Sequence, residues 1–481
     1  MKNNTITAIS TALGPGAISI VRLSGPLALI ILNKVFVKGK FVSNLRENPN
    51  KFEANSIRDN FNKDELANNL RHTTPEGDIS KNFESHKIYY GFVVDGETKI
   101  DEVLVSVMLA PKTYTKEDMV EINCHGGDVS AMAVLSILLK NGASMAEPGE
   151  FTKRAFLNGR LDLSQAEAVI DIINSRSNIS RQLSLNVLDG KLGKQIKKMR
   201  SNLLFAIATL EVAIDYPEDG YFTQMNEIEQ ITKDTLFEVN NLLKNSKWDS
   251  LLKNGLDTVI LGRPNVGKSS LLNALIGEER AIVTNIEGTT RDIITANTNI
   301  DNIPLNIIDT AGIRDTVDEI EKIGQDMAFA KLSSADLILL VIDGSNELTS
   351  KDKELIELVK EQNHIIVLNK ADLGIKLNLS NSVEISAANG DIGELHKEIT
   401  KKYLNENITT ELTLINMRHK EALFLALEAL KRAEEAILLN SPEEFISLDL
   451  TQSYEALGEI LGEELSESII DKIFSEFCLG K

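Results

Sequence analysis

Four short strings in one stretch of the chain carry residues that could handle a nucleoside triphosphate: GRPNVGKS (Gly262–Ser269), GTTRD (Gly288–Asp292), DTAG (Asp309–Gly312) and NKAD (Asn369–Asp372). The first has the G-x-x-x-x-G-K-S spacing of a phosphate-binding loop. Gly262 and Gly267 allow a tight turn whose N–H groups converge, and a helix predicted over Ser270–Gly277 adds the partial positive charge of its N-terminus. Lys268 then reaches the outer phosphates, and Ser269 can ligate Mg²⁺. Asp309 meets the same ion through water, while Gly312 lets a backbone N–H approach the terminal phosphate. NKAD decides the base. The Asp372 carboxylate can accept two hydrogen bonds from N1–H and the exocyclic amine of guanine, a pair that adenine does not offer. Leaving that carboxylate unpaired costs about 1–3 kcal/mol, which favours GTP over ATP. Ser386 and Ala387 fit the loop that closes over the base.

One hydrolytic part is missing. Ras-like proteins carry a glutamine directly after DTAG to orient the attacking water, and Ile313 stands there instead. The following stretch offers Asp315, Asp318, Glu319 and Glu321, each of which also fits a solvated acidic loop. No arginine finger is evident, although such a charge accelerates hydrolysis by roughly 10³ to 10⁵. Asn265, inside the phosphate loop, is either a loop filler or an oxygen ligand for a monovalent cation that supplies the missing charge.

The elements that must position these strings follow from pattern. Apolar runs TVIL (Thr258–Leu261), PLNIID (Pro304–Asp309), IIVL (Ile365–Leu368) and VEI (Val383–Ile385) precede the loops and read as buried strands. With the intervening helices they predict an inserted α/β P-loop domain of Ras-like type over 256–416. Helical periodicity flanks it at Ala166–Ser175, Arg181–Leu188, Ile196–Tyr216, a helix pair over Glu227–Gly255, His419–Leu439 and Phe445–Phe477. An α-helical bundle domain is therefore expected from 156–255 together with 417–481. The first part, 1–155, reads as an α+β domain. Strands are expected at Ile6–Ile9, Ala17–Leu23, His86–Val94 and Glu102–Leu109, with a turn at Asp95-Gly96 and a helix over Ala131–Gly142. The Asn-rich segment 43–85 reads as a polar insert.

Composition excludes several classes. Across 481 residues, 71 acidic against 51 basic side chains give a net charge of −20, so nucleic acid is not held by bulk charge and any RNA contact is local. Only two cysteines occur, Cys124 and Cys478, which removes a disulfide framework and fits a reducing compartment. With no secretory signal or long apolar run, a cytoplasmic protein without a membrane span is expected. His125 in CHGG (Cys124–Gly127) has no second His or Cys at metal spacing. The run KLGKQIKKMR (Lys191–Arg200) suits an RNA contact or, more simply, a solvated helix face. Cys478 fits a prenylation box badly, because Gly480 and Lys481 follow it; it is either an exposed tail thiol or a thiolate helped by Lys481.

The ending FCLGK (Phe477–Lys481), the block EPGEFTKRAFLNGRLDLSQAEA (Glu147–Ala168), the CHGG loop and the inserted nucleotide domain together resemble the MnmE (TrmE) family of tRNA modification GTPases over nearly the whole chain. The resemblance implies an N-terminal folate-binding and dimerisation domain, a homodimer, and work with the FAD-dependent partner MnmG in a heterotetramer-like complex, FAD entering only through that partner. It implies installation of an aminomethyl or carboxymethylaminomethyl group at C5 of the wobble uridine, U34, of certain tRNAs. Arg22, Glu121, Arg160 and Lys481 are implied as contacts for a 5-formyl-tetrahydrofolate-type ligand, a carboxylate serving pterin N–H donors and cations the glutamate tail.

For the nucleotide domain the resemblance implies K⁺ held by Asn265 with main-chain oxygens of Thr284, Ile286 and Thr289, and Mg²⁺ held by Ser269 and Thr290. It names Glu321 as the water-orienting residue, with Lys268 and Thr290 beside it in hydrolysis. Nucleotide contacts are implied at Asn265, Val266, Gly267, Lys268, Ser269 and Ser270, then at Thr284, Asn285, Ile286, Glu287, Gly288, Thr289 and Thr290. They continue at Asp309, Thr310, Ala311 and Gly312, at Asn369, Lys370, Ala371 and Asp372, and at Ser386, Ala387 and Ala388. Two other functions compete: a ribosome-assembly GTPase of the Era or Der type, which has no use for FCLGK, and a folate-dependent one-carbon enzyme regulated by GTP, which turns over without a flavoprotein.

Overall fold

Strand alternation organises the first part of the molecule. A computed structural model of the chain describes residues 4–39, 73–74, 77–78, 82–216, 225–277, 295–309, 335–403, 415–463 and 465–481, with backbone alone at 73–74, 77–78, 245–254, 295 and 309. Contacts divide it into two compact units, one spanning 1–170 with 461–481 and the other 171–460. The first contains strands β1 (Ile6–Ile9), β2 (Ile18–Ser24), β3 (Phe36–Lys38), the short pair β4 (Thr73–Thr74) and β5 (Gly77–Asp78), then β6 (Lys87–Asp95), β7 (Thr98–Met108), β8 (Met119–His125) and β9 (Ser144–Met145). Seven of them form one sheet in the order β3-β6-β7-β8-β2-β1-β9.

Along β7 the buried positions Val103, Val105 and Val107 alternate with the exposed Glu102 and Leu104, so one face of the sheet is packed and the other open. Helices α1 (Ala28–Val35) and α2 (Asp128–Lys140) supply Leu29, Leu32, Val134 and Leu138 to the packed face. Each such fully buried side chain contributes roughly 1.5–3 kcal/mol. The open face shows Ile18, Ile88, Tyr90 and Leu104 to solvent. Cys124 and His125 belong to β8 and not to a CHGG loop. Only the two glycines turn, and a Cβ on Gly126 would lie 1.8 Å from the Gly16 carbonyl oxygen, which packs this turn against the segment LGPG (Leu13–Gly16) between β1 and β2.

Helices α3 (Glu150–Leu157) and α4 (Leu163–Asn174) follow β9. The final residues of the chain, which the helical pattern assigns to the bundle, pack in this first unit. Ile470, Phe474 and Phe477 share a core with Leu163 and Ala166.

The second unit holds α5 (Asn178–Leu188), α6 (Lys191–Asp215) and α7 (Met225–Asn254). The last is one continuous helix where a pair was expected. Its stretch contains no Gly or Pro before Gly255, so nothing breaks it, and Asn240-Asn241 are tolerated in mid-helix. The nucleotide-type domain comes next: β10 (Leu256–Leu261), α8 (Lys268–Gly277), β11 (Thr295–Ile300), β12 (Ile303–Asp309), β13 (Leu337–Asp343), α9 (Ser350–Val359), β14 (His364–Asn369), β15 (Ser382–Glu384) and α10 (Gly393–Tyr403). Its sheet runs β11-β12-β10-β13-β14-β15, parallel except for β11. All seven residues of β13 are buried, as a strand covered on both faces requires. Three further helices close the chain: α11 (Met417–Leu438), α12 (Glu443–Leu461) and α13 (Glu467–Ser475). Of these α11 lies along α7, and it opens with a capping box between Asn416 and His419.

Candidate functional site

The phosphate-type loop leaves the carboxyl end of β10, the edge at which open parallel sheets bind ligands. Its two glycines are sterically required. A Cβ on Gly262 would lie 2.4 Å from the Val341 carbonyl oxygen, and one on Gly267, at φ +99°, would lie 2.1 Å from Asn369 Nδ2. Between them Asn265 takes φ +65°, a left-handed conformation that Asn tolerates better than bulkier residues. The loop ends on the N-terminus of α8, and Lys268 Nζ donates to the carbonyls of Gly262 at 2.9 Å and Arg263 at 2.8 Å. Lysine is thereby folded over the ring of amides that it would share with phosphate.

Asn369 ties the other motifs to this loop. It is buried, its Nδ2 donates to the Val266 carbonyl at 2.8 Å, and its Oδ1 accepts from the Ala387 N–H at 3.0 Å. One side chain thus joins the phosphate loop, NKAD and the Ser386–Ala388 segment. Asp372 sits in the next turn, where its Oδ1 accepts from Ser386 Oγ at 2.6 Å, and the Ala371 N–H donates to the Ile385 carbonyl at 3.0 Å. Lys370 is held at φ +69°, its Nζ 2.6 Å from Asp343 Oδ2. Burial opposes ionisation of Asp343, and hydrogen bonds from Lys370 and Ser345 outweigh it, bringing its pKa down to about 2. Asp343 and Ser345 were not read as functional; an acid ending an apolar run looks like ordinary strand punctuation.

The donor set fits hard cations. Ser269 stands exposed on the first turn of α8, and Asp309 closes β12 in register with Ile260, two residues before Gly262. The Ser269 hydroxyl is an oxygen donor of the kind that Mg²⁺ takes. The exposed amide of Asn265 is an oxygen donor of the kind K⁺ accepts. Thr284, Asn285, Ile286, Glu287, Gly288, Thr289, Thr290, Thr310, Ala311, Gly312 and Glu321 lie outside the described residues, as do Ile313, Asp315, Asp318 and Glu319.

A second constellation is built in the first unit. Arg22 on β2 and Glu121 on β8 are register partners; Arg22 Nε and Nη2 lie 2.9 and 2.8 Å from Glu121 Oε1. The same guanidinium donates from Nη1 to the Gly480 carbonyl at 3.1 Å and lies over the rings of Phe151 and Tyr114 at 5.5 and 5.8 Å. Arg160 lies over Tyr114 at 4.7 Å, so this ring links the two arginines.

The tail is stitched down by main chain. Lys481 O accepts from the Phe151 N–H at 3.1 Å, Cys478 O accepts from the Gly149 N–H at 3.3 Å, and Ser10 Oγ donates to Gly480 O at 3.0 Å. Burial, then the Arg22 charge, lowers the Lys481 pKa, with Glu121 and Cys478 pulling the other way. Arg22, Glu121, Lys481 and Cys478 therefore share one electrostatic environment. Arg160 reaches it through Tyr114 and also lines an open hollow of about 480 Å³ with Lys112 and Lys116. Tyr114 was missed in the sequence, since it lies in no periodic or motif-like string, and Phe151, although inside the Glu147–Ala168 block, was not singled out because an aromatic there looks like core.

His125 Nδ1 lies 2.7 Å from Asp101 Oδ1. No group of three His, Cys, Asp or Glu that could hold a metal occurs among the described residues. In the Lys191–Arg200 run, Arg200 is buried with its guanidinium 4.0 Å over Tyr454, while Lys194, Lys197 and Lys198 are exposed on α6. No described helix is long and apolar enough to cross a membrane.

Comparison with known proteins gives two family matches: residues 5–160 match the model of the GTP-binding protein TrmE N-terminus, and 163–478 that of the MnmE helical domain. The chain is similar along its length to proteins named tRNA modification GTPase MnmE. That of Lactococcus lactis subsp. cremoris (strain SK11) is 44% identical over 99% of this chain and 98% of the relative. That of Bacillus subtilis (strain 168) is 42% identical over 99% and 100%, respectively.

Proposed function

The chain belongs to the MnmE family of tRNA modification GTPases, and from that premise we propose that it hydrolyses GTP under K⁺ stimulation as part of wobble-uridine modification. The carrying observation is Asn369, which joins the phosphate loop to the base-reading turn through Val266 and Ala387. Phosphate and base ends are prebuilt at one sheet edge, so binding does not have to order them. Main-chain amides of 265–270 and Lys268 hold the phosphates, and Asp372, steadied by Ser386, reads guanine. Ser269 and Thr290 would hold Mg²⁺, with Asp309 reaching it through water. Asn265 with the main-chain oxygens of Thr284, Ile286 and Thr289 would hold K⁺. These ions supply positive charge where negative charge develops in transfer. Glu321 orients water in place of the absent glutamine at Ile313, beside Lys268 and Thr290.

The same reading makes the chain a cytoplasmic homodimer. The apolar open face with Ile18, Ile88, Tyr90 and Leu104 supports dimerisation through 1–155. The helical domain is 156–255 with 417–481, the stretch 461–481 packing within the first compact unit, and the inserted G domain is 256–416. Arg22, Glu121, Arg160 and Lys481 take a 5-formyl-tetrahydrofolate-type ligand; the carboxylate meets pterin donors and the cations meet the tail. The partner is the flavoprotein MnmG, which carries FAD, and the product is an aminomethyl or carboxymethylaminomethyl group at C5 of U34. Two measurements decide. GTP hydrolysis is expected to be faster in K⁺ than in Na⁺ and to collapse in Glu321→Ala; equal rates, or an active variant, remove the mechanism. Mass spectrometry of tRNA nucleosides from cells lacking the protein is expected to show loss of the modified wobble uridine, and unchanged uridines remove the pathway.

A further inference from the structure

We infer that Arg263 and Asp352 form a brace that positions the phosphate-binding loop, with Arg263 as the positioning residue and Asp352 as its anchor at the start of α9. The inference rests on the guanine-nucleotide reading of this site. Arg263 is the second residue of the loop, and its carbonyl is one of the two that receive Lys268 Nζ. Its Nε donates to Asp352 Oδ1 at 2.7 Å, and the Asp352 side chain is only 2% exposed. The other oxygen of Asp352 is already used. Oδ2 accepts from the Thr349 N–H at 2.9 Å and from Thr349 Oγ1 at 2.7 Å, while the Asp352 N–H returns a bond to Thr349 Oγ1 at 3.3 Å.

A capping box satisfies its helix with one acceptor oxygen and a neutral amide can serve it. A buried carboxylate with a second oxygen left over is costly, and here a cation from the phosphate loop meets it. Burial resists ionisation of Asp352, and the bonds from Arg263 and Thr349 overcome it, so the group titrates below its ordinary value. The brace acts on the earlier half of the loop, whose Gly262 and Arg263 carbonyls also receive Lys268 Nζ. Asn369 holds the later half through Val266. The earlier half rests on β13, where Gly262 meets Val341, and then on Asp352 nine residues beyond Asp343, the partner of Lys370. One connection, β13 to α9, therefore steadies both the phosphate loop and the base-reading turn. Without it the loop spends part of its time in conformations that cannot bind, and apparent affinity falls in proportion.

The test uses the full chain and fluorescent GDP, with steady-state GTP hydrolysis alongside. Asp352→Ala and Asp352→Asn are expected to weaken GDP and raise KM about tenfold, with a smaller change in kcat. Asp352→Asn preserves volume and an acceptor for the cap, so it remains informative where the alanine variant fails to fold. Thr349→Ala breaks the capping box and leaves the Arg263 contact, so it should lower the melting temperature while keeping GDP affinity within about twofold. Adding Arg263→Ala to Asp352→Asn should cost nothing further. Unchanged affinity in Asp352→Asn, an equal loss in Thr349→Ala, or additive losses in the double variant would overturn the brace. Failure of the unaltered protein to bind GDP would instead overturn the nucleotide reading.

Discussion

The nucleotide site and the tail site are built on opposite plans. In the second unit, the described groups proposed to meet GTP lie in short strings at the carboxyl ends of β10 and β14 and beside β15, positioned largely by main chain. In the first unit, Arg22 meets Gly480 across 458 positions of sequence, and no two of Arg22, Glu121, Arg160 and Lys481 share a string. Local construction makes the phosphate loop intolerant of single atoms, because its turn is sterically saturated at Gly262 and Gly267. Distributed construction makes it depend on a tail that must be laid down correctly.

The sharpest way to break the comparison is Gly267→Ala. The added methyl meets Asn369 Nδ2 at 2.1 Å in a backbone conformation that L side chains rarely adopt, so both the loop and its tie to NKAD are disturbed. Loss of GDP affinity by a hundredfold or more, on the order of 3 kcal/mol, is expected by titration with a fluorescent nucleotide. Gly277→Ala, where no described atom lies within 4 Å of a new Cβ, should bind normally. Equal affinities in the two variants would mean that the loop is not sterically saturated.

The same contrast explains what could be read from the amino-acid order. A phosphate loop is legible because glycine spacing, lysine and a following helix are all local, and TVIL before it and IIVL before NKAD are apolar runs with no alternation. The alternation of β7 was legible for the same reason. The β8 strand was hidden behind the polar run 112–118, and α7 looked like two helices because paired asparagines imitate a break. Arg22 and Glu121 were singled out only through resemblance; their register pairing and the Gly480 contact depend on chain closure that no local pattern records. Asp343 and Asp352 were passed over since an isolated acid at a strand end or in a first helical turn is ordinarily a surface charge.

The tail can be tested without touching the nucleotide unit. Gly480 has φ +84°, and a Cβ there would lie 2.4 Å from the Ile9 carbonyl oxygen. Gly480→Val should therefore lift the tail, remove the carbonyl that Arg22 uses, and weaken binding of 5-formyl-tetrahydrofolate about tenfold by calorimetry. GDP affinity should stay as it was. Folate binding that survives intact would show that the last two residues are not needed for the ligand.

A smaller effect separates the sites by pH. Asp343 has its folded-state pKa depressed from 3.8 to about 2, so the Lys370 pair stabilises the fold fully above the unfolded value. That contribution is lost as pH falls through the interval from 3.8 to about 2. Thermal melting of the unaltered protein followed down to the acid limit should lose stability in that window more steeply than Asp343→Asn does. Parallel curves would assign the acid loss to other carboxylates.

The mildest probe compares the two thiols and bears only on the first unit. Cys124 is buried in β8 with its Sγ donating to the Ser19 carbonyl, and burial followed by the Asp101 charge pushes its pKa up to about 11. Thiolate is the reactive form, so at neutral pH Cys124 should be inert in the folded chain. Cys478 is exposed on the tail beside the Lys481 environment. A maleimide reagent is expected to label one cysteine per native chain, located at Cys478 by peptide mass, and two after denaturation. Because the tail is stitched by main chain through Gly149 and Phe151, labelling should leave those bonds intact and change melting little. Two labels on the native chain would mean that the sheet opens at β8, and the distributed site would then owe its shape to ligand binding more than to the fold.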